Sequence, residues 1–218
     1  MTLLMGSLSR PLPFKRLILL SILLPITVAS AAAPLFVPPN EQPILRIIQA
    51  EVNENRIKAD VTKLVSFGTR HTLSETQSNT QGIGAARRWI KAEFEKISAE
   101  CGGCLEVIEQ RQTFSGEKRI PEPTEVVNIL AIQRGKVDPN RYIIMSGDID
   151  SRVSDPLNYK SLSPGANDNA SGVAGVIEAA RVLSQHSFDG TIVYAALSGE
   201  EQGLFGGKIM ANIAKNEQ

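Results

Sequence analysis

Tyr142-Ile143-Ile144-Met145-Ser146, the segment 170–185, and Thr191-Ile192-Val193-Tyr194-Ala195-Ala196-Leu197 together decide how this chain folds. The outer two are short apolar runs of the kind that form buried strands. Between them Val173, Val176, Ile177, Ala180 and Leu183 recur at helical spacing and line one face of a helix. Strand, crossover helix and strand make a βαβ unit whose strands run parallel. In open α/β sheets ligands gather beyond the carboxyl ends of such strands. The residues just after Ser146 and Leu197 are therefore presented along one rim.

Those residues are acidic. Gly147-Asp148-Ile149-Asp150-Ser151 leaves the first strand, Ser198-Gly199-Glu200-Glu201-Gln202-Gly203 leaves the second, and Pro164-Gly165-Ala166-Asn167-Asp168-Asn169 enters the helix. Each piece alone has an ordinary reading: Asp148 and Asp150 as turn residues, Asp168 or Asn169 as a helix cap, Glu200 and Glu201 as a solvated first turn. Set together at the ends of two adjacent strands, with glycines at 147, 165, 199 and 203 permitting close backbone approach, they read as one site. Carboxylates within about 4–6 Å raise one another's pKa, so the cluster calls for bound cations or for one member that carries a proton. Composition does not choose the cation. His71 lies in a polar loop that could touch either solvent or the cleft, and His186 sits near a helix C-terminus, where the dipole favours it. An oxygen-rich set equally suits magnesium, manganese or calcium.

Outward from this unit, the apolar residues over 44–67 predict one or two amphipathic helices, and Ile83, Ala86, Ile90, Phe94 and Ile97 mark the buried stripe of another. Arg87, Arg88 and Lys91 fall mainly off that stripe, which predicts a solvated basic face. Extended segments come next at 105–112 and 126–133, with Asp138-Pro139-Asn140 as a turn before the 142–146 strand. A last helix is predicted over 204–215. At the N-terminus Arg10, Lys15 and Arg16 precede an apolar run over 17–28 that is broken by Pro25 and followed by Ala29-Ser30-Ala31. That is a secretory leader over residues 1–31, shorter than the roughly 20 apolar residues of a transmembrane helix, so no stable membrane span is expected after cleavage. Export makes Cys101-Gly102-Gly103-Cys104 a local disulfide rather than a redox or zinc motif. With 23 basic and 23 acidic residues among 218, and 5% aromatics, the chain has no electrostatic footprint for nucleic acid.

The runs Gly165-Ala166-Asn167-Asp168-Asn169-Ala170-Ser171-Gly172 and Gly199-Glu200-Glu201-Gln202-Gly203-Leu204-Phe205-Gly206 resemble the M28 family of metallopeptidases, which includes bacterial leucine-type aminopeptidases with two zinc ions. The resemblance implies an α/β fold of the zinc-exopeptidase, phosphorylase/hydrolase-like kind: a mixed, largely parallel central sheet flanked by helices. It implies residues 32–218 as the N-terminal portion of one peptidase domain, and a secreted or periplasmic aminopeptidase acting on peptide or protein substrates. Carried over position by position, it implies Asp148, Asp168 and Glu201 as metal ligands, Glu200 as general base and Asp150 as a support for the first ligand.

Two departures qualify it. Asp148 stands where the family has a metal-binding histidine, which leaves zinc possible but admits manganese or cobalt. The family's further aspartate and final histidine ligands have no counterpart, since nothing after Glu201 is Asp or His; the expectation is a chain whose C-terminal part is missing. Two other functions stay open, a glutaminyl cyclase-like enzyme of the same fold and a non-catalytic domain that keeps the fold. A serine hydrolase is set aside because no Gly-x-Ser-x-Gly elbow occurs.

Overall fold

The computed structural model describes residues 43–216; the leader predicted over 1–31 lies outside the described residues. In chain order they form α1 (Pro43–Glu51), α2 (Glu54–Val65), α3 (Gly82–Glu100), β1 (Glu106–Phe114), β2 (Thr124–Gln133), β3 (Asp138–Asp148), a π-type turn (Ala166–Ala170), α4 (Ser171–Leu183), β4 (Gly190–Leu197) and α5 (Phe205–Asn216). Asn53 separates the first two helices by capping α2, its side chain accepting the Asn55 and Arg56 amides at 3.0 and 3.2 Å. No described helix is long and apolar enough to cross a membrane.

The sheet is mixed, in the order β1-β2-β4-β3. The predicted parallel pair is β3 with β4, while β1 with β2 and β2 with β4 run antiparallel. Period-two alternation divides β2 between two layers. Val127, Ile129 and Ala131 point into the main core with Ile192, Tyr194 and Ala196 of β4, against α2, α3 and α4. Leu130 and Ile132 point the other way, with Val193 and Ala195, toward Met210 of α5. Every residue of the predicted α3 stripe is buried.

Two expectations fail locally. Asp138-Pro139-Asn140 is not a turn but the start of β3, where the register with β4 shifts between Asp138 and Tyr142; a strand at the sheet's margin accepts proline at such an irregularity because no ladder bond is needed there. Arg87 is not on a solvated face. It is buried, because the 72–77 loop and β2 close over the side of α3 that carries it. Cys101 and Cys104 are disulfide-bonded.

Two features position the site. Gly147 lets β3 lie directly on α4: a Cβ there would come within 2.6 Å of the Gly172 carbonyl carbon and the Val173 nitrogen. On its other side β3 has no neighbour among the described residues, and Tyr142, Ile143 and Ile144 remain 52%, 52% and 54% exposed.

Candidate metal-binding and catalytic site

Asp148 is the last residue of β3 and pairs in register with Leu197, the last of β4. The Ile149 amide continues the ladder to the Leu197 carbonyl at 2.7 Å. The two strands thus end side by side, and their loops leave from one place. Asp168 lies on the π-type turn entering α4, where the Asp168–Asn169 peptide is cis and Asn169 Oδ1 accepts the Gly172 amide at 2.8 Å, the capping role foreseen for one of the pair.

The five predicted acids are electrostatically joined. Burial pushes the Asp148 carboxyl above its ordinary pKa, and the charges of Asp168 and Glu201 push it further. Burial also raises Glu200, followed by Glu201, Asp148, Asp150 and Asp168. Each of the other four is therefore within electrostatic reach of Glu200.

Asp150 is built differently from the rest. It is buried, and burial raises its carboxyl to about 6. Its Oδ1 accepts the Glu200 amide and its Oδ2 the Glu201 amide, each at 3.1 Å, while the Thr72 hydroxyl donates to Oδ2 at 2.9 Å. Asp150 thereby fixes the backbone that carries the two glutamates, a task that needs no imidazole at position 148.

Three residues that sequence reasoning did not single out hold this arrangement. Arg70, fully buried, donates to the carbonyls of Leu64, Ile149, Pro164 and Gly165 and so ties the β3 exit to the turn bearing Asp168. Thr72 holds Asp150 from the same loop. Arg152 Nε meets Glu201 Oε2 at 2.5 Å, placing a fixed cation against one predicted ligand. Nothing in the pattern of residues flags them; their partners are mostly backbone carbonyls or lie many residues away. His71 is closed off from solvent and lies beside Gln202 of the loop that carries the two glutamates. Its Nδ1 accepts the Leu73 amide at 3.1 Å, which leaves Nε2–H to donate to the Pro156 carbonyl at 3.1 Å, and burial lowers its pKa so that it stays neutral.

Among the described residues no three of histidine, cysteine, aspartate and glutamate converge as a group able to hold a metal ion. The donor chemistry nonetheless suits one: carboxylate oxygens are ligands for zinc, manganese and cobalt, and Asp148 is raised by burial first and then by the charges of Asp168 and Glu201. Asp148, Asp168 and Glu201 fit as contributors to a centre, not as a closed cage.

The fold is a mixed α/β sheet flanked by helices, with an acidic rim where its two parallel strands end. Residues 128–218 match the model of Peptidase family M28. A relative from Pyrenophora teres f. teres, named "Probable zinc metalloprotease", is 50% identical over 179 residues, which cover 82% of this chain and 37% of that protein. The chain thus spans well under half of that relative's length. Among solved structures, the LapA aminopeptidase of Legionella pneumophila aligns with a TM-score of 0.61 at 20% identity, covering 78% of this chain and 40% of that one. Glutaminyl cyclase from Fimbriiglobus ruber aligns with a TM-score of 0.60 at 18% identity, covering 77% and 58%. At those identities the two share the fold with this chain.

Proposed function

We propose that the chain supplies the first part of the catalytic centre of an exported metallo-aminopeptidase that removes N-terminal residues from peptides or proteins using two zinc ions. The observation that carries the reading is the coupling of Glu200 to Asp148, Asp150, Asp168 and Glu201 at the ends of two parallel strands. Asp168, Asp148 and Glu201 hold the metals; with an aspartate at position 148, manganese or cobalt can replace zinc. Bound metal supplies Lewis-acid polarisation of the scissile carbonyl and acidifies a water.

The protein's own groups do the rest. Glu200 is half-buried, and its raised pKa brings it toward the range where a carboxylate accepts a proton and returns it at neutral pH. It takes the water's proton and delivers it to the leaving amine. Asp150 fixes the position of that base through the Glu200 amide. Arg152 orients the Glu201 carboxylate. Export is supported by the leader-like N-terminus and by a disulfide suited to an oxidising compartment.

The test is release of amino acids from amino-acid amides by the full-length protein. Activity should vanish with a chelator and fall by about 10²–10⁴ in Glu200→Gln, while zinc binding by that variant persists. Metal binding without turnover would leave a binding domain, and conversion of an N-terminal glutamine peptide to pyroglutamate would leave a cyclase.

A further inference from the structure

Glu201 is held at three points, each from a different segment of the chain. Its amide donates to Asp150 Oδ2 at 3.1 Å, its carbonyl accepts from Arg119 Nη1 at 2.7 Å, and its Oε2 accepts from Arg152 Nε at 2.5 Å. The first two contacts clamp the backbone from either side, so the side chain starts from a fixed place. The third takes one of the two carboxylate oxygens. Oε1 bonds to no described residue, and it is not shut away from the surface.

An exposed ion pair is worth little, because both side chains wander and water screens them. Both effects are curtailed at Arg152. Its side chain and that of Glu201 are only 28% and 16% exposed. Arg152 Nη1 also donates to the carbonyls of Val153 and Ser154, at 3.1 Å each, which fixes the guanidinium on its own loop. That loop is anchored just before Arg152, where the buried Ser151 hydroxyl donates to the Ser163 carbonyl at 2.7 Å and accepts the Arg70 amide at 3.2 Å. Groups other than Glu201 thus set the cation in place, and a charge-assisted bond from a pre-placed donor is a strong one.

A carboxylate with one oxygen taken is a different ligand from a free one. Zinc, usually four-coordinate, is satisfied by a single carboxylate oxygen at roughly 2.0–2.2 Å. Calcium gathers about 6–8 oxygens and readily draws both from one carboxylate. A two-oxygen grip on Glu201 requires Arg152 to give up Oε2, whereas a one-oxygen grip through Oε1 does not. We propose, taking Glu201 as a ligand in the metallopeptidase reading above, that Arg152 is a positioning residue that limits Glu201 to one-oxygen ligation and so turns the acidic rim toward zinc and against calcium. The positive charge of Arg152 weakens every divalent cation alike, and that effect cancels when two such ions are compared.

The test is the zinc and calcium affinities of the full-length protein, each ion titrated alone by calorimetry, for the parent, Arg152→Met, Glu201→Gln and the double variant. Arg152→Met should raise the calcium affinity about tenfold or more beyond any change for zinc, the worth of one charge-assisted hydrogen bond. In the Glu201→Gln background no carboxylate remains to be limited, and the same replacement should leave the calcium-to-zinc ratio unchanged. Arg152→Gln repeats the comparison if the methionine variant folds poorly. Equal shifts for the two ions would overturn the proposal, as would a change of ratio that survives in Glu201→Gln. Failure of both ions to bind any of the proteins would sink the metal-site reading and this proposal together, a result distinct from binding with an unaltered ratio.

Discussion

Replacing Arg70 asks whether one guanidinium holds the acidic loops together. Its Nε donates to the Ile149 carbonyl at 2.8 Å, Nη1 to Leu64 and Pro164 at 3.2 and 2.6 Å, and Nη2 to Gly165 at 2.9 Å. With 1% of the residue exposed, Arg70→Met takes the guanidinium from four carbonyls, of which those of Leu64 and Gly165 keep a backbone donor. Hydrogen bonds to a charged group are worth about 1.5–3 kcal/mol each; against their loss stands release of a buried cation, itself a burden of several kcal/mol. The expected net loss is about 3–5 kcal/mol for methionine. Lysine keeps the charge but reaches one or two carbonyls at most, so Arg70→Lys should cost about 2–3 kcal/mol. Urea denaturation of the full-length protein and both variants, with the slope checked for constancy, gives these differences directly. Hydrogen exchange should accelerate in the 148–151 and 163–168 segments first. A methionine variant within about 1 kcal/mol of the parent, or one equal to lysine, would refute the assignment of Arg70 as the tie between these loops.

Other expectations are more local. Asp60 is buried with Oδ2 unpartnered, and burial first, then Glu93 and Glu178, lifts its pKa from 3.8 to about 6 against the pull of Arg56 and Lys96. The fold therefore keeps this proton longer than the unfolded chain does, and stability falls as pH rises through about 6. Asp60→Asn should stabilise by about 1–3 kcal/mol near pH 8 and hardly at all near pH 4; an equal difference at both, read from urea midpoints, would count against it. Gly147→Ala forces a Cβ to within 2.6 Å of the α4 backbone, and thermal unfolding should report a loss of about 2–3 kcal/mol. Tyr194→Phe removes the 2.7 Å bond to Gln133 Oε1 in the core, and calorimetry should show a loss of about 1–2 kcal/mol.

The parallel pair, the crossover helix and the rim were legible because their signals are local. β-branched runs, a helical stripe and acids just beyond strand ends need no distant partner to be read. The antiparallel pairing of β2 with β4 was not legible, because adjacency between strands far apart in sequence leaves no trace in either one. Arg87 misled for a related reason. Helical periodicity places it beside the apolar stripe, and only the loop and strand folded over that side bury it. The site splits the same way: its five acids announce themselves as a pattern, whereas Arg70 and Thr72 act on groups about eighty residues ahead.

The margin formed by β3 has one more consequence. Its half-exposed Tyr142, Ile143 and Ile144 sit on a strand whose outward amides and carbonyls meet no other described strand, and such an edge templates pairing with any extended chain that arrives. Residues 43–216 produced alone would therefore be adhesive, clumping through this seam even when correctly folded, and Ile143→Lys should restore dispersion while leaving the acids at the strand's end untouched.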